Sequence, residues 1–303
     1  MATTGTHRYD ALVIGAGAGG LCAAARLSHH GFRTLVVESR DRVGGRASSV
    51  LEEGFTVNTG AIAIEYGGVL EDTFRTVGAP FEIRVPEPAT LFRLKGKNVD
   101  ISRGGWGKLI NGITRTGAGL LSGIGQARTG DLPDEQVSVK AWLSGYTKNK
   151  TVHAVFRNLC AAIFAVNSDE MPAKAFLTYF IQKGAFRHFG FSPTGTLGLM
   201  HGLAGVVTAG GGDVWLDSPV RHLQVEDGRV AGATVARAGR DVEVRPEVVI
   251  SNAGPEATVG LCGREHFDAA YLERMDRDLR ATANIVVNMA SREPLLDMPG
   301  IVT

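Results

Sequence analysis

The sequence predicts an α/β fold organised around a parallel β-sheet, and three observations predict it. Tyr9–Ile14, apolar beyond Asp10, runs into a glycine cluster; the Ala-rich Leu21–His29 follows; a second apolar run, Thr34–Glu38, comes after Gly31. Apolar runs without alternation are the pattern of strands buried on both faces. Strand, glycine turn, helix and strand within about 30 residues form a βαβ unit, whose crossover makes the two strands parallel.

The elements beyond that unit follow from pattern and punctuation. Between Asp72 and Gly130 the sequence is irregular. Val137–Lys148, Val152–Val166 and Ala173–Lys183 have helical character, the last with Pro172 at its first turn, where its missing N–H costs nothing. These helices are expected to form a substrate-facing layer. Leu197–Leu203 is a further helix. Strand character returns at Asp213–Leu216, His222–Val225, Arg229–Ala236 and Asp241–Val244, with Asp227-Gly228 and Ala238-Gly239 as turns, so an antiparallel meander is expected. Glu247–Ser251 reads as a separate short strand, and Ala283–Met289 as a buried one with nothing after it to pair with.

Composition excludes several classes. With 32 basic against 31 acidic residues the net charge is +1, so no long-range field gathers nucleic acid, and none is expected as a partner. Cys22, Cys160 and Cys262 stand alone, giving neither metal-ligand spacing nor a disulfide framework. The N-terminus lacks a signal-peptide pattern, and Ala11–Ala25 is too short and glycine-rich to span a bilayer. A cytoplasmic protein is the expectation.

Gly15-Ala16-Gly17-Ala18-Gly19-Gly20 places glycine at the three positions of a GxGxxG fingerprint, 15, 17 and 20. The first permits a tight turn out of the strand. The second lets a pyrophosphate approach the backbone, and the third lets helix pack on strand. The helix then presents free N–H groups of its first turn, at Ala18 and Gly19, to phosphate. Glu38, 18 residues after Gly20 at the end of the second strand, suits the hydroxyls of an adenosine ribose and would repel a 2′-phosphate. The unit is therefore expected to be a Rossmann-like dinucleotide-binding domain.

The following residues carry a more specific likeness. Glu38-Ser39-Arg40-Asp41-Arg42-Val43-Gly44-Gly45-Arg46 resembles the motif of the FAD-dependent amine oxidase and phytoene desaturase-like flavoproteins. Gly54-Phe55-Thr56-Val57-Asn58-Thr59-Gly60-Ala61 resembles the segment that follows it there, with Asn58 in place of the commoner Asp. Leu197–Leu203, then Gly210–Leu216 and Val220, look like the lead into that family's second FAD-binding segment, and Val249-Ile250-Ser251-Asn252-Ala253 like its returning strand. The resemblance runs from about Tyr9 to Leu261 and implies FAD as cofactor. It implies contacts from Gly15, Gly17, Ala18, Gly19, Gly20, Glu38, Ser39, Gly45, Arg46, Gly60, Ala61, Val220 and Ala253. Arg46 would offer a charge-assisted fork to the pyrophosphate.

That resemblance frames the expected organisation: residues 1–80 and 205–265 as a discontinuous FAD-binding domain, 81–204 and 266–303 as a partial helical substrate or cap domain. The implied activity is dehydrogenation or desaturation of an apolar or amine substrate. In such proteins the flavin carries the redox chemistry, and no catalytic side chain can be named. His153, His188, His201 and His222 are scattered and read as packed or surface residues. Phe176, Tyr179, Phe180, Phe186, Phe189 and Phe191 fit either a tunnel wall or ordinary core. Residues 101–130, with four basic residues, no acidic one and nine glycines, fit either peripheral membrane contact or an ordinary loop. The family's last third, with its Gly-Asp motif facing the flavin, has no counterpart before Thr303. Three expectations follow: a piece of a longer enzyme, a subunit completed by another polypeptide, or a short relative. On the second, the chain is an FAD-holding subunit without catalysis of its own.

Overall fold

The computed structural model describes residues 6–88, 90–94, 96–100, 124, 126–127, 129–181, 189–283, 285–289, 291–293 and 301–302. It divides into two units: Met1–Ile83 with Phe191–Arg280, and Arg84–Gly190 with Ala281–Thr303.

In the first unit, strand β1 (His7–Ile14) leads through the glycines into helix α1 (Ala18–His29) and back to β2 (Thr34–Val37). Hairpin β3–β4 (Ser49–Glu52, Phe55–Asn58), the two-residue β5 (Ile64–Glu65) and helix α2 (Val69–Val77) follow. The second unit holds β6 (Thr90–Leu94), β7 (Lys97–Asp100), helices α3 (Val139–Ser144), α4 (Lys150–Leu159) and α5 (Ala173–Ile181), and β8 (Phe189–Gly190). Returning to the first unit, α6 (Gly195–Ala209) precedes β9 (Asp213–Trp215), β10 (Val220–Glu226), β11 (Arg229–Arg237) and β12 (Arg240–Ser251). Helices α7 (Pro255–Cys262) and α8 (Ala269–Asp278) complete it, and β13 (Ile301–Val302) pairs in parallel with β6.

The main sheet has the order β10-β11-β12-β1-β2-β9. β1 is parallel to both β12 and β2, which fixes it at the centre. Its residues alternate between two apolar layers, as the pleat requires. Val13 and Val36 face a cluster with Leu21, Ala24 and Ala25 of α1, Phe74 of α2, and Leu203 and Val207 of α6. Leu12, Ile14, Leu35 and Val37 face the other way, against Leu223, Ala233, Val235 and Val244 of the meander. This is the α/β, Rossmann-like architecture expected, with its meander.

Three strand expectations need correction. Asp213–Leu216 was expected in the meander, but β9 lies at the opposite edge, parallel to β2 through Leu35↔Asp213 and Val37↔Trp215. The reason is α6, which crosses the sheet before β9 begins, and a helical crossover returns a strand parallel. The two strands Asp241–Val244 and Glu247–Ser251 are one, β12. Pro246 looks like a break, yet the ladder with β11 already ends at Ala233↔Val244, so the missing N–H falls where β12 keeps only β1 as neighbour. Ala283–Met289 forms no strand among its described residues, and Ile285, Val287 and Met289 are 93, 74 and 77% exposed. An apolar run specifies a strand only where a second strand takes up its backbone groups.

Helix positions match more closely than their ends. Ser138 caps α3 by accepting from the Ala141 N–H at 3.2 Å, and the helix stops at Gly145, before the expected Lys148. Asn149 caps α4 through the Thr151 and Val152 N–H groups, so this helix begins earlier than Val152. It continues into a wider π-type turn, Cys160–Phe164, ending at Ala165 with φ +59°. Helix α2 falls partly in the stretch read as irregular, although Leu70, Phe74 and Val77 at helical spacing carry its signal. The helical unit has its own core of Val139, Leu143, Val155, Phe156, Leu159 and Phe176.

The hairpin and α6 meet through Asn58. Its Oδ1 accepts from the Thr196 N–H at 3.1 Å and from the Thr196 hydroxyl at 3.3 Å, satisfying donors at a buried helix start. Ser49 Oγ accepts the next N–H, from Leu197, at 3.2 Å. Asn58→Ala is expected to destabilise the first unit by about 1–2 kcal/mol, as loss of an N-terminal cap does, while Asn58→Asp keeps the acceptor and costs less. Urea denaturation of the three proteins measures the order.

Candidate functional site

The glycine turn is held shut from three sides. Gly15 leaves β1 at φ +95°, a left-handed conformation in which a side chain would be strained. At Gly20 a Cβ would collide with the Gly15 carbonyl oxygen, so the third glycine sets the approach of α1 to β1. Glu38 closes the second side. It is buried at the end of β2, and its Oε2 accepts from the Ala16 N–H at 2.9 Å. Its Oε1 accepts from the Arg40 N–H at 3.0 Å and from the Ser39 hydroxyl at 3.2 Å. A carboxylate has about four acceptor positions. Three are taken by the protein, which leaves one for a ribose hydroxyl.

The third side is the paired-glycine segment. The Gly44 N–H donates to the Ala16 carbonyl at 2.7 Å, and Gly17 and Gly44 lie side by side in a parallel bridge. Both Gly44 and Gly45 have positive φ, +105° and +55°. A Cβ on Gly45 would stand 3.5 Å from the Gly17 Cα. Arg46 follows, with its carbonyl accepting from the Ala61 N–H at 2.9 Å, and a Cβ on Gly60 would collide with that same carbonyl. The Arg46 side chain is exposed, and its guanidinium has no hydrogen-bond or ion-pair partner among the described residues.

The remaining predicted positions join the same edge of the sheet. Glu38 N–H donates to the Trp215 carbonyl at 2.9 Å, and Ser218 N–H to the Glu38 carbonyl at 2.8 Å. Val220 therefore opens β10 two residues from a direct contact with Glu38. On the other flank, Asn252 N–H donates to Ile14 O at 2.8 Å, setting Ala253 beside Gly15. All thirteen predicted residues lie in the first unit, with the glycine turn, Glu38 and Ala253 at the carboxyl ends of β1, β2 and β12. Gly44 and Asn252 lie beside the glycine turn and were not picked out as site residues. Their signal was available only as membership of segments matched to the family.

A dinucleotide's diphosphate needs donors and backbone clearance, and both are present. Gly17 caps α1 without a side-chain hydrogen bond, so the first-turn N–H groups of the helix are free of any capping side chain. The dipole end and those N–H groups favour an anion, and the exposed Arg46 nearby in the fold adds a positive charge.

Other expected features fall elsewhere. Phe176 is buried core against Phe156 and Phe164, at ring distances of 5.6 and 6.1 Å, and Tyr179 packs on Phe164 at 5.4 Å. For these residues the ordinary-core reading holds. Phe186, His188 and most of 101–130 lie outside the described residues, and the Phe180 side chain is likewise not described. His153 Nε2 is 2.9 Å from the Thr147 carbonyl, and His201 and His222 are exposed. Among the described residues no group of three His, Cys, Asp or Glu could hold a metal, and no helix is long and apolar enough to cross a membrane. The three cysteines are unpaired.

The chain was compared with known proteins. The model of the family described as flavin containing amine oxidoreductase matches residues 18–273. The chain belongs to this family. Its cofactor is accordingly FAD. The lycopene-forming phytoene desaturase of Pseudescherichia vulneris is 28% identical over 276 residues, covering 80% of this chain and 55% of that protein. The zeta-carotene-forming phytoene desaturase of Myxococcus xanthus is 43% identical over 82 residues, 27% of this chain and 15% of the other. Among solved structures, an oxidoreductase from Methanosarcina mazei matches with TM-score 0.74 and 26% identity, covering 88% of this chain and 65% of that one. The flavoprotein chain thus spans about half the length of the longer-matching desaturase.

Two measurements check the site. Glu38→Ala removes the acceptor for the buried Ala16 N–H, so it is expected to lower stability of the FAD-free protein by roughly 1–3 kcal/mol as well as to weaken FAD binding; thermal unfolding without FAD reads the first effect. Burial raises the thiol pKa of Cys22 and Cys262, and pushes that of Cys160 up to about 12. No thiol is therefore expected to react rapidly with a disulfide reagent at mildly alkaline pH, whereas all three react once the chain is unfolded. One fast equivalent in the native state would contradict this.

Proposed function

We propose that the protein is an FAD-dependent oxidoreductase that dehydrogenates an apolar isoprenoid chain. The observation that carries the activity is the edge formed by Glu38, the glycine turn, Gly44-Gly45-Arg46 and Asn252-Ala253. It supplies ribose acceptor, phosphate donors and backbone clearance in one line. The substrate class rests on the relatives: both curated proteins described above are named as phytoene desaturases, although the family model carries an amine oxidoreductase description.

Bound FAD would accept the hydride equivalent, while the chain's own task is to hold the dinucleotide and align the substrate. Glu38 would receive a ribose hydroxyl at its remaining acceptor position. The free N–H groups at Ala18 and Gly19, together with the Arg46 guanidinium, would hold the diphosphate. The family resemblance assigns Val220 to the adenine, and it lies two residues from Ser218, whose N–H donates to the Glu38 carbonyl. We assign substrate handling to the second unit, whose helices have an apolar core independent of the sheet.

The test is flavin reduction without oxygen. The protein, supplied with FAD and freed of excess, is mixed with phytoene dispersed in lipid vesicles or with a primary aliphatic amine. Loss of the oxidised flavin band with phytoene alone is the expected result. Bleaching by the amine alone overturns the substrate class. Bound flavin that neither compound reduces favours an FAD-holding chain whose turnover depends on another polypeptide.

A further inference from the structure

The glycine turn contains one glycine that the fingerprint does not require. Gly19 sits in the first turn of α1, with no left-handed φ, and is exposed. Glycine inside a helix costs about 1 kcal/mol relative to alanine, so an alanine would be preferred there unless something stands in its way. A Cβ on Gly19 would lie 2.8 Å from Asn252 Oδ1, so an alanine there fits only if the exposed carboxamide swings aside. The same side chain reaches the neighbouring turn position: a Cβ on Gly17 would be 3.2 Å from Asn252 Nδ2.

Asn252 is held there by its backbone. Its N–H donates to Ile14 O, extending the β12–β1 ladder one residue past Ile14↔Ser251, and its main chain runs beside Gly15. The carboxamide therefore lies across the mouth of the turn, in front of the uncapped N–H groups of α1. It is exposed and makes no hydrogen bond to any described residue. A donor–acceptor side chain whose backbone is held beside the glycine turn, and which has no hydrogen-bond partner among the described residues, is free to meet a ligand there.

We infer that Asn252 is part of the diphosphate cradle, its Nδ2 donating to a phosphate oxygen of FAD, and that Gly19 is glycine to make room for this carboxamide. The inference rests on FAD occupying the glycine turn. It assigns a contact to a side chain where the neighbouring Ala253 offers only backbone.

The experiment is a double-mutant cycle read by equilibrium binding of FAD and of ADP, which carries the diphosphate but no flavin, to protein stripped of cofactor. Asn252→Ala is expected to bind both about tenfold to a hundredfold more weakly, the range for a hydrogen bond to a charged group. Asn252→Asp should be weaker still, because its carboxylate faces the diphosphate. Thermal unfolding of the stripped Asn252→Ala protein should match the wild type. Gly19→Ala should weaken binding while leaving unfolding unchanged or raised, since alanine favours the helix. In the Asn252→Ala background it should cost nothing further. If Gly19→Ala costs as much there as in the wild type, the glycine serves the cofactor directly and the pairing falls. If Asn252→Ala weakens FAD but leaves ADP unchanged, the carboxamide does not meet the diphosphate and the inference is overturned. Wild-type protein that binds neither ligand would refute the cofactor reading itself rather than the role of Asn252.

Discussion

The arrangement of the cofactor edge depends on one carboxylate. Glu38 ends β2, yet its side chain reaches back to the Ala16 N–H in the glycine turn after β1, while its own N–H and carbonyl bind Trp215 and Ser218. A single residue thereby ties three segments distant in sequence: the turn at 15–20, the end of β2, and the link from β9 to β10. A buried carboxylate persists only when its lone pairs are met, and here the protein meets most of them itself. The turn is therefore set by internal hydrogen bonds before any cofactor arrives. A preformed site spares a ligand the cost of ordering it, which suits a backbone segment whose glycines would otherwise be the loosest part of the sheet.

Around that carboxylate the glycines have different physical duties, although they look alike in sequence. Gly15 is needed for its φ, Gly20 for helix-to-strand contact, Gly44 for its positive φ and for clearance from the Ala47 carbonyl, and Gly45 for its positive φ. Gly60 lets the 60–61 backbone run against the Arg46 carbonyl. Gly19 meets none of these needs, and the side chain nearest to it belongs to a residue 233 positions later in the chain, Asn252. A glycine-rich motif is thus a set of separate steric permissions, each issued by a particular contact.

The legible parts of the sequence were those whose signal is local. The βαβ unit could be read because buried parallel strands leave unbroken apolar runs and the turn between them leaves glycines. The two hairpin turns at Asp227-Gly228 and Ala238-Gly239 were legible because their second residue needs a positive φ, here +72° at Gly228 and +75° at Gly239, which glycine adopts without strain. What failed was non-local. Nothing in Asp213–Trp215 says which neighbour it will take, since its place beside β2 is fixed by α6 crossing the sheet. Pro246 reads as a break because a single sequence does not reveal that β12 has changed partners at that point. The apolar run Ile285-Val286-Val287 reads as a strand, but an apolar run alone supplies no second strand to pair with.

The same distinction decides how far the site itself could be read. Backbone donors and glycine clearance belong to short motifs, so the glycine turn and the segment packed on it were legible in residues 15–20 and 44–46. The carboxamide of Asn252 reaches that region from the end of β12, and its presence there follows only from the parallel register Ile14↔Ser251. Register is set by the packing of two apolar layers on opposite faces of β1, with Val13 on one side and Leu12 and Ile14 on the other. Slipping β12 by one residue would turn its buried side chains outward and carry Asn252 away from Gly17 and Gly19. The core of the sheet thus does more than stabilise the fold. Through register it places a polar side chain from the end of β12 beside the glycine turn.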